Sequence, residues 1–376
     1  MSGGSFDPGF TTEAMARLWS NESRVEAMLR AEAALARAQA VCGVIPRTAA
    51  DAIGQACEDL VVDADALLAE GWEVGTPVSV LLDRLRGRMD HDSAASLHVG
   101  ATTQDIVDTA AVLQIDASLT VTAGDLIVFG DDLARLAGEH RGTVTIGRTF
   151  RQHAFPTTFG LRCAQWLASV SADLAGIRDA RSTLPVQLGG AVGNGVGLGP
   201  DPVAVLEAFA ADLSLCAPVL AWHSDRTPIR RAVSAMHAVA VTAAKVANDL
   251  IDLAQTEVGE VSVRAGGSSA VPGKQNPIDA IRAVAAERVC AAVTTVLGPH
   301  SLDRAAGPWH AEWLALPVVF QTAAAALEAA MRAIATLRVD IEAMARRVEG
   351  RVDPAVLKSA GTFVDRAIGG WEAERG

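Results

Sequence analysis

The chain has 376 residues, of which 50% are hydrophobic and 20% charged, a composition typical of a soluble globular protein with two or three domains. A net charge of -12 argues against binding to nucleic acid or to an anionic membrane, because both require basic protein surfaces. The five cysteines follow no metal-ligand spacing, so we expect buried, reduced thiols in a cytoplasmic protein. The N-terminus lacks the features of a signal peptide, and no uninterrupted apolar run is long enough to span a membrane.

Helical periodicity dominates the sequence, and a regular alternation of apolar and polar residues, which would indicate strands, is absent. Apolar residues recur at helical spacing over residues 25–40, and Gly43 and Pro46 should end that helix. A second helical region covers residues 63–85 and is interrupted by a Gly and a Pro near its middle. We therefore predict an N-terminal helical domain over residues 1–100.

The central part of the chain begins with a helix-start pattern. Thr102 supplies a hydroxyl and Asp105, three residues later, a carboxylate, which together predict a capping box. The helical pattern then continues without a Pro to about His140. Pro156 is expected to open the next helix, which should end near Ser182.

Long helices and glycine-rich loops alternate in the remainder of the chain. Residues 184–202 are rich in Gly and Pro and predict a loop. The later helices are predicted at residues 227–263, 278–297 and 311–348. We predict an all-α fold, an elongated long-helix bundle with a central domain at residues 101–348 and a shortened C-terminal segment at 349–376. Apolar faces of this length favour oligomerisation through the central helices.

The most informative segment is the serine loop, residues 266–277, which reads Gly-Gly-Ser-Ser-Ala-Val-Pro-Gly-Lys-Gln-Asn-Pro. A long loop between helices in a compact domain is usually functional, although a plain linker is the alternative. The loop offers the hydroxyls of Ser268 and Ser269, the ammonium of Lys274, the amide of Asn276 and many backbone N–H groups. Such groups can bind a carboxylate and stabilise a serine alkoxide or an enediolate.

The serine loop resembles the Gly-Ser-Ser-x-Met-Pro-x-Lys-x-Asn-Pro segment of the fumarase/aspartase superfamily, with Val271 in the place of Met. The resemblance implies that a loop serine removes a proton from the carbon next to a carboxylate while the loop closes over the substrate. Ser268 is the first choice for this base and Ser269 the second. The resemblance also implies chemistry without a cofactor or a metal, and the sequence contains no nucleotide or metal fingerprint.

Residues 98–110, which read His-Val-Gly-Ala-Thr-Thr-Gln-Asp-Ile-Val-Asp-Thr-Ala, are similar to the first signature block of the same superfamily. The resemblance implies that the hydroxyls of this segment contact a substrate carboxylate at a helix start, where anions are attracted. Thr102, Thr103 and Gln104 are the candidate ligands. His98 is either a further ligand or a structural residue, and Asp105 is either a ligand or a helix cap.

Residues 147–158, which read Gly-Arg-Thr-Phe-Arg-Gln-His-Ala-Phe-Pro-Thr-Thr, resemble the superfamily's Arg-Thr-His-x-Gln segment. The resemblance makes Arg148, Thr149 and Gln152 candidates for substrate binding and His153 the candidate general acid or positioning group. A plain core or capping role for His153 is the alternative. Phe150 stands where adenylosuccinate and argininosuccinate lyases usually have His, and the cycloisomerase branch carries a hydrophobic residue there.

Further segments are similar to the 3-carboxy-cis,cis-muconate cycloisomerase branch of the superfamily. They include residues 222–226, residues 304–313 and the loop that carries Gln187. The resemblance implies that Gln187 and Arg304 belong to the substrate site. After residue 348 only a short tail remains, although most members of the superfamily carry a larger C-terminal helical domain.

Three hypotheses on function follow. The first is a cofactor-independent cycloisomerase that forms a lactone from 3-carboxy-cis,cis-muconate. The second is a C–N lyase that releases fumarate from an adenylosuccinate-, argininosuccinate- or nitrosuccinate-like compound, since few residues separate the branches. The third is a helical scaffold without catalysis. For an enzyme, the resemblance implies a small di- or tricarboxylate substrate and a homotetramer whose active sites are each built from three chains.

Overall fold

A computed structural model describes residues 7–348, 350 and 352–376, and helices dominate this part of the chain. In chain order the elements are α1 (Glu13–Leu18), α2 (Asn21–Val41), α3 (Arg47–Asp59), α4 (Ala64–Val74), α5 (Pro77–Arg86), α6 (His91–Ala95), α7 (Thr103–Glu139), β1 (Val144–Thr149), β2 (Gln152–Thr158), α8 (Phe159–Ser182), α9 (Pro202–Leu213), α10 (Thr227–Leu253), β3 (Val261–Ser262), α11 (Ile278–Thr294), α12 (Pro308–Ala335), β4 (Arg338–Val339), α13 (Ile341–Arg346) and α14 (Pro354–Arg375).

Helix boundaries follow local sequence chemistry where the sequence carries a cap. Ser20 and Asp63 accept hydrogen bonds from backbone N–H groups in the first turns of α2 and α4. Gly75, in a left-handed conformation, ends α4, and Pro77 begins α5. At the start of α7 the backbone N–H of Thr102 donates to Asp105 Oδ2 at 3.0 Å. The predicted break and the predicted cap are therefore both confirmed.

The predicted helix start at Pro156 is wrong. Residues 144–158 form an antiparallel hairpin in which Pro156 lies opposite Ile146. The helix begins three residues later, with Thr158 as its cap. A two-stranded sheet consists of edge strands only, and an edge strand tolerates a residue without an N–H group. The hairpin is a small addition to a mostly helical structure, and the prediction of an all-α long-helix fold is confirmed.

Two later helices are shorter than predicted. α10 ends at Leu253 instead of continuing to residue 263, and the predicted helix over residues 311–348 stops at Ala335. The cause is the same in both places, because Val261 pairs with Val339 in the two-stranded sheet of β3 and β4. Helical periodicity contains no information on a pair this distant in sequence.

The buried apolar residues form two clusters. The larger lies between α7, α8, α10, α11 and α12, and the smaller between α2 to α5, the start of α7 and α9. α9 belongs to the predicted central domain in sequence but packs against α2 in the smaller cluster. The domain boundaries at residues 100 and 348 remain predictions. α14, which occupies the C-terminal segment, buries Trp371 in the larger cluster.

Two of the described helices, α7 and α12, are long and apolar enough to cross a membrane. The sequence did not predict this, because polar residues interrupt their apolar stretches. Within their most apolar stretches, 50% of the α7 residues and 72% of the α12 residues are buried inside the protein. Both helices form part of the larger core. Their apolar character is thus explained by packing between helices.

The cysteines are free thiols, and Cys57, Cys163 and Cys290 are buried as predicted. Cys216 is exposed, which contradicts the expectation for that residue. Burial raises the pKa of the Cys57 and Cys163 thiols to about 12, so both stay protonated at neutral pH.

Candidate active site

The start of α7 carries a guanidinium group from a distant part of the chain. Arg304 Nη1 donates to Thr102 Oγ1 at 3.0 Å, and Arg304 Nη2 donates to the carbonyl oxygen of Ala191 at 2.7 Å. Thr102 and Thr103 are half-buried at the first turn of the helix. The positive end of the helix, two hydroxyls and a planar cation therefore lie together, an arrangement that suits a carboxylate. We call this region the α7 entrance.

Asp105 holds the α7 entrance to its surroundings. Its carboxylate accepts from the backbone N–H groups of Gly189 at 3.0 Å and Gly190 at 2.9 Å, and it binds His223 Nε2 at 2.7 Å. Together with the N–H of Thr102, these donors occupy both carboxylate oxygens. Asp105 is thus a helix cap, which was one of the two alternatives predicted for this residue. It also anchors the loop of residues 184–202.

A buried ion network lies one turn further along α7. The guanidinium of Arg226 binds Asp108 at 2.6 and 2.9 Å and Glu312 at 2.6 and 3.1 Å. The indole N–H of Trp309 also donates to Asp108, at 2.9 Å. Burial alone would lower the pKa of Arg226, but the two carboxylates outweigh it and raise the pKa above its ordinary value. The network fixes the starts of α10 and α12 against α7.

Two of the three predicted glutamine ligands, Gln104 and Gln187, are fully buried inside this framework. Gln104 Nε2 donates to Asp108 at 3.1 Å and to the carbonyl oxygen of His223 at 2.8 Å. Gln187 Oε1 accepts from the backbone N–H of Trp222 at 3.0 Å. Both amides therefore bind other protein groups, and their contact with a substrate remains a prediction.

His98 lies just before the α7 entrance and is paired with a carboxylate. Its Nδ1 lies 2.7 Å from Oε1 of Glu32, whose side chain is fully buried. The backbone of His98 is left-handed, with φ of 62°, a conformation that is unfavourable for a residue other than Gly. Surrounding contacts must hold such a residue in place, and strained residues of this kind often mark functional sites.

The hairpin presents the second group of predicted residues. Arg148 is not free, because it forms a bidentate pair with the buried Glu260, with Nη1 2.9 Å from Oε2. Thr149, Gln152 and His153 are exposed near the turn of the hairpin. Beside them, a cavity of about 310 Å³ is lined by charged side chains that include Arg148, His153, Arg162 and Asp249.

Phe150 occupies the turn of the hairpin, where the superfamily block usually has His. Its side chain is 99% exposed, and both Phe150 and Arg151 adopt left-handed backbone conformations, with φ of 51° and 62°. An exposed aromatic side chain on a strained turn presents apolar surface that its own chain does not cover.

The serine loop is closed at its base and open at its tip. Gly266 and Asn276 exchange backbone hydrogen bonds of 2.8 and 3.1 Å, and Asn276 Nδ2 donates to the carbonyl oxygen of Gly267. Ser268 Oγ is half-buried and accepts from the backbone N–H groups of Val271 at 3.0 Å and Ala270 at 3.3 Å. In the same loop, Ser269 and Lys274 are exposed.

The predicted site residues therefore fall into three regions: the α7 entrance with His98, the hairpin, and the serine loop. Within the described part of the chain, no hydrogen bond or ion pair joins one of these regions to another. The sequence did not indicate three carboxylates that fix predicted site residues, namely Glu32, Asp108 and Glu260. Glu32 and Glu260 lie far in sequence from His98 and Arg148, so spacing gives no signal for them. Asp108 lies one helical turn from Gln104, and that spacing was a signal for their contact.

Comparison with known proteins gives a consistent result. A family described as lyase matches residues 9–293 of the chain. A 3-carboxy-cis,cis-muconate cycloisomerase of Bradyrhizobium diazoefficiens is 35% identical over 370 residues, which cover 95% of this chain and 81% of the relative. A nitrosuccinate lyase of Streptomyces davaonensis is 36% identical over 343 residues, which cover 86% of this chain and 72% of the relative.

Solved structures agree with the sequence relatives. The crystal structure of a 3-carboxy-cis,cis-muconate lactonizing enzyme from Pseudomonas putida matches with a TM-score of 0.90 and 29% identity, and the match covers 99% of each chain. These matches span the α7 entrance, the hairpin and the serine loop. The chain is therefore an enzyme that belongs to the lyase family of the fumarase/aspartase superfamily.

Proposed function

We propose that the protein is a cofactor-independent cycloisomerase that forms a lactone from 3-carboxy-cis,cis-muconate, or from a close tricarboxylate analogue. The observation that carries the proposal is the contact between Arg304 and Thr102. Thr102 comes from the segment that resembles the superfamily's first signature block, Arg304 comes from a segment that resembles the cycloisomerase branch, and the two meet at the positive end of α7. The similarity to named cycloisomerases supports the choice of substrate.

In this proposal the α7 entrance binds one substrate carboxylate. The hydroxyls of Thr102 and Thr103 donate to it, and Arg304 presents a planar fork that matches the two carboxylate oxygens. Because Asp105 and the buried ion network fix the start of α7, these donors are in place before the substrate arrives. Such preorganisation lowers the cost of binding an anion that carries several charges.

The serine loop supplies the proton chemistry. A substrate carboxylate adds to a double bond, and the electrons move into a second carboxylate to give an aci-carboxylate intermediate. In the forward direction the Ser268 hydroxyl gives its proton to the carbon next to that carboxylate and completes the lactone, and in the reverse direction the Ser268 alkoxide removes the same proton. The N–H groups of Ala270 and Val271 already point at Ser268 Oγ, so they stabilise negative charge on that oxygen. Lys274, Asn276 and, across the site, His153 are proposed to bind the substrate or assist proton transfer.

A complete site requires the three regions to meet, so we further propose a cytoplasmic homotetramer with shared active sites. The hairpin turn, with its exposed Phe150, and the open tip of the serine loop are the parts that another chain would meet. Loop closure then excludes water from the reacting atoms.

The direct test mixes purified protein with 3-carboxy-cis,cis-muconate and follows the loss of diene absorbance. Turnover that Arg304→Met strongly reduces and Arg230→Met does not would support the proposal, because Arg230 is an exposed arginine away from the entrance. A folded protein that leaves the diene absorbance unchanged would overturn the substrate assignment.

A nitrosuccinate lyase among the relatives keeps one alternative specific. In that case the same serine base removes a proton from a substituted succinate, nitrite or an amine leaves, and fumarate forms. Fumarate absorbance at short ultraviolet wavelength, together with an assay for nitrite, separates this reaction from lactone formation. A catalytically inactive scaffold would show neither activity, and Ser268→Ala would then change nothing.

A further inference from the structure

The pair formed by Glu32 and His98 is not explained by packing alone. The Glu32 side chain is fully buried on α2, whose other buried residues are apolar except for Gln39. Its Oε1 faces His98, and its Oε2 is buried with no hydrogen-bond partner among the described residues. A buried carboxylate with one neighbour is costly unless that neighbour carries a positive charge.

α2 holds the segment before the α7 entrance at two points. Besides the contact of Glu32 with His98, Gln39 Nε2 donates to the carbonyl oxygen of Val99 at 2.6 Å. Two residues after His98, Gly100 packs closely against Gly197. A Cβ atom added to Gly100 would lie 2.3 Å from the carbonyl carbon of Gly197. The segment of residues 98–100 is therefore held by α2 and by Gly197, and these contacts fix the backbone of His98 and the position of its ring.

The electrostatic surroundings favour a charged ring. The ionisable groups that act on His98 are Glu32 on α2, Asp105 on α7 and Arg86 on α5. Burial by itself would lower the pKa of His98, but the charge and the hydrogen bond of Glu32, with Asp105, outweigh both burial and Arg86 and raise it. The other ring nitrogen, Nε2, has no hydrogen-bond partner among the described residues. It is not fully buried, so it is accessible to solvent.

We propose that Glu32 is a positioning residue that holds His98 as an imidazolium with its Nε2–H free, so that His98 acts as a charged donor to a substrate carboxylate beside Thr102 and Arg304. Glu32 itself touches no substrate. The inference rests on the proposed function in one respect, because it takes the α7 entrance as a carboxylate site. Substrate affinity should then fall as pH rises through the pKa of His98.

The first experiment measures the charge state without any substrate. Histidine labelled with ¹³C at Cε1 is titrated by NMR in the full-length protein, with His98→Asn to assign the signal. Glu32→Gln keeps an acceptor but removes the charge, so the pKa of His98 should fall by about one unit or more. Glu26→Gln makes the same change on the exposed face of α2 and should leave it unaltered. An unchanged pKa in Glu32→Gln overturns the proposal. Glu32→Asp, which keeps the charge, should restore the raised pKa and shows whether loss of folding is the cause.

The second experiment uses citrate as a non-reacting tricarboxylate and measures its binding by calorimetry between pH 5.5 and 8.5. At a pH above both pKa values, Glu32→Gln should bind citrate about tenfold more weakly than the wild type, because a pKa lower by one unit leaves about one tenth of the protonated imidazole there. The difference should vanish at low pH, where His98 is protonated in both proteins. Equal affinities at every pH would overturn the proposal. Neither experiment uses turnover, so failure to convert 3-carboxymuconate rejects the proposed function separately.

Discussion

The α7 entrance and the serine loop belong to one proposed site but are built in opposite ways. Around the entrance, Asp105, Asp108 and Arg226 are nearly or fully buried, and each binds two or more partners within the same chain. The serine loop has hydrogen bonds at its base and around Ser268, while Lys274 extends into solvent. The comparison teaches that the proposed carboxylate site rests on a framework fixed by buried contacts, whereas the loop proposed to handle the proton has an exposed tip.

The largest effect is expected from breaking the rigid side of this comparison. Arg226→Met removes the guanidinium that pairs with both Asp108 and Glu312 and leaves the two carboxylates buried without it. Breaking a buried pair in this way costs about 3–5 kcal/mol, to be measured by denaturant unfolding. Arg230→Met, an exposed arginine at the start of the same helix, should cost less than about 0.5 kcal/mol. Similar losses in the two variants would show that the network is not what stabilises this region.

The open side should respond in activity and not in stability. Ser268→Ala should lower kcat by about 10²- to 10⁴-fold, the usual contribution of a proton-transfer group. The free energy of unfolding should fall by no more than about 1 kcal/mol, because the two hydrogen bonds that Ser268 Oγ accepts lie within an exposed loop. Ser262→Ala, at an exposed serine in β3, serves as the control in both measurements. If Ser269→Ala abolishes turnover while Ser268→Ala does not, the assignment of the base is wrong.

Sequence reasoning succeeded where the determinants are local. The cap at Asp105, the break between α4 and α5, the long span of α7 and the glycine-rich serine loop all follow from residues within a few positions of each other. These features place the candidate groups on the right elements. They also account for the all-helical character of the larger part of the fold.

What the sequence could not predict depends on long-range contacts. Pro156 signals a helix start by its type, yet pairing with β1 places it in a strand. Arg148 has the appearance of a free ligand until Glu260, 112 residues away, is found against it. The three regions of the proposed site are likewise separate among the described residues of one chain, which is why the proposal includes an assembly. Residue type and spacing determine the local structure, whereas the partner of a charged side chain is determined by the tertiary fold.

Gly130→Ala tests whether the C-terminal helix belongs to the rigid part. A Cβ atom at residue 130 would lie 2.2 Å from the ring of Trp371 on α14, so the indole has to move. Overpacking of this kind costs about 1–3 kcal/mol. Gly124→Ala on the same helix meets open space and should be neutral or stabilising, because Ala is the better helix former. Thermal unfolding of both variants decides the question, and equal Tm values would mean that α14 packs loosely on α7.

The smallest effect concerns the carboxyl group of Asp173 on α8, for which no ion pair is found among the described residues. Burial raises the pKa of Asp173 on α8 to about 6, a shift that a hydrogen bond from Thr242 only partly opposes. The folded state therefore binds this proton more tightly than the unfolded chain, whose carboxyl has a pKa of about 3.9. The stabilising contribution is complete below about pH 4 and is lost as pH rises through about 6. Asp173→Asn should thus stabilise the protein by about 1–2 kcal/mol at pH 8 and by little at pH 4. Asp179→Asn, at an exposed position on the same helix, should show no such pH dependence of Tm, and a pH-independent gain in Asp173→Asn would place its cause outside the titration of this carboxyl.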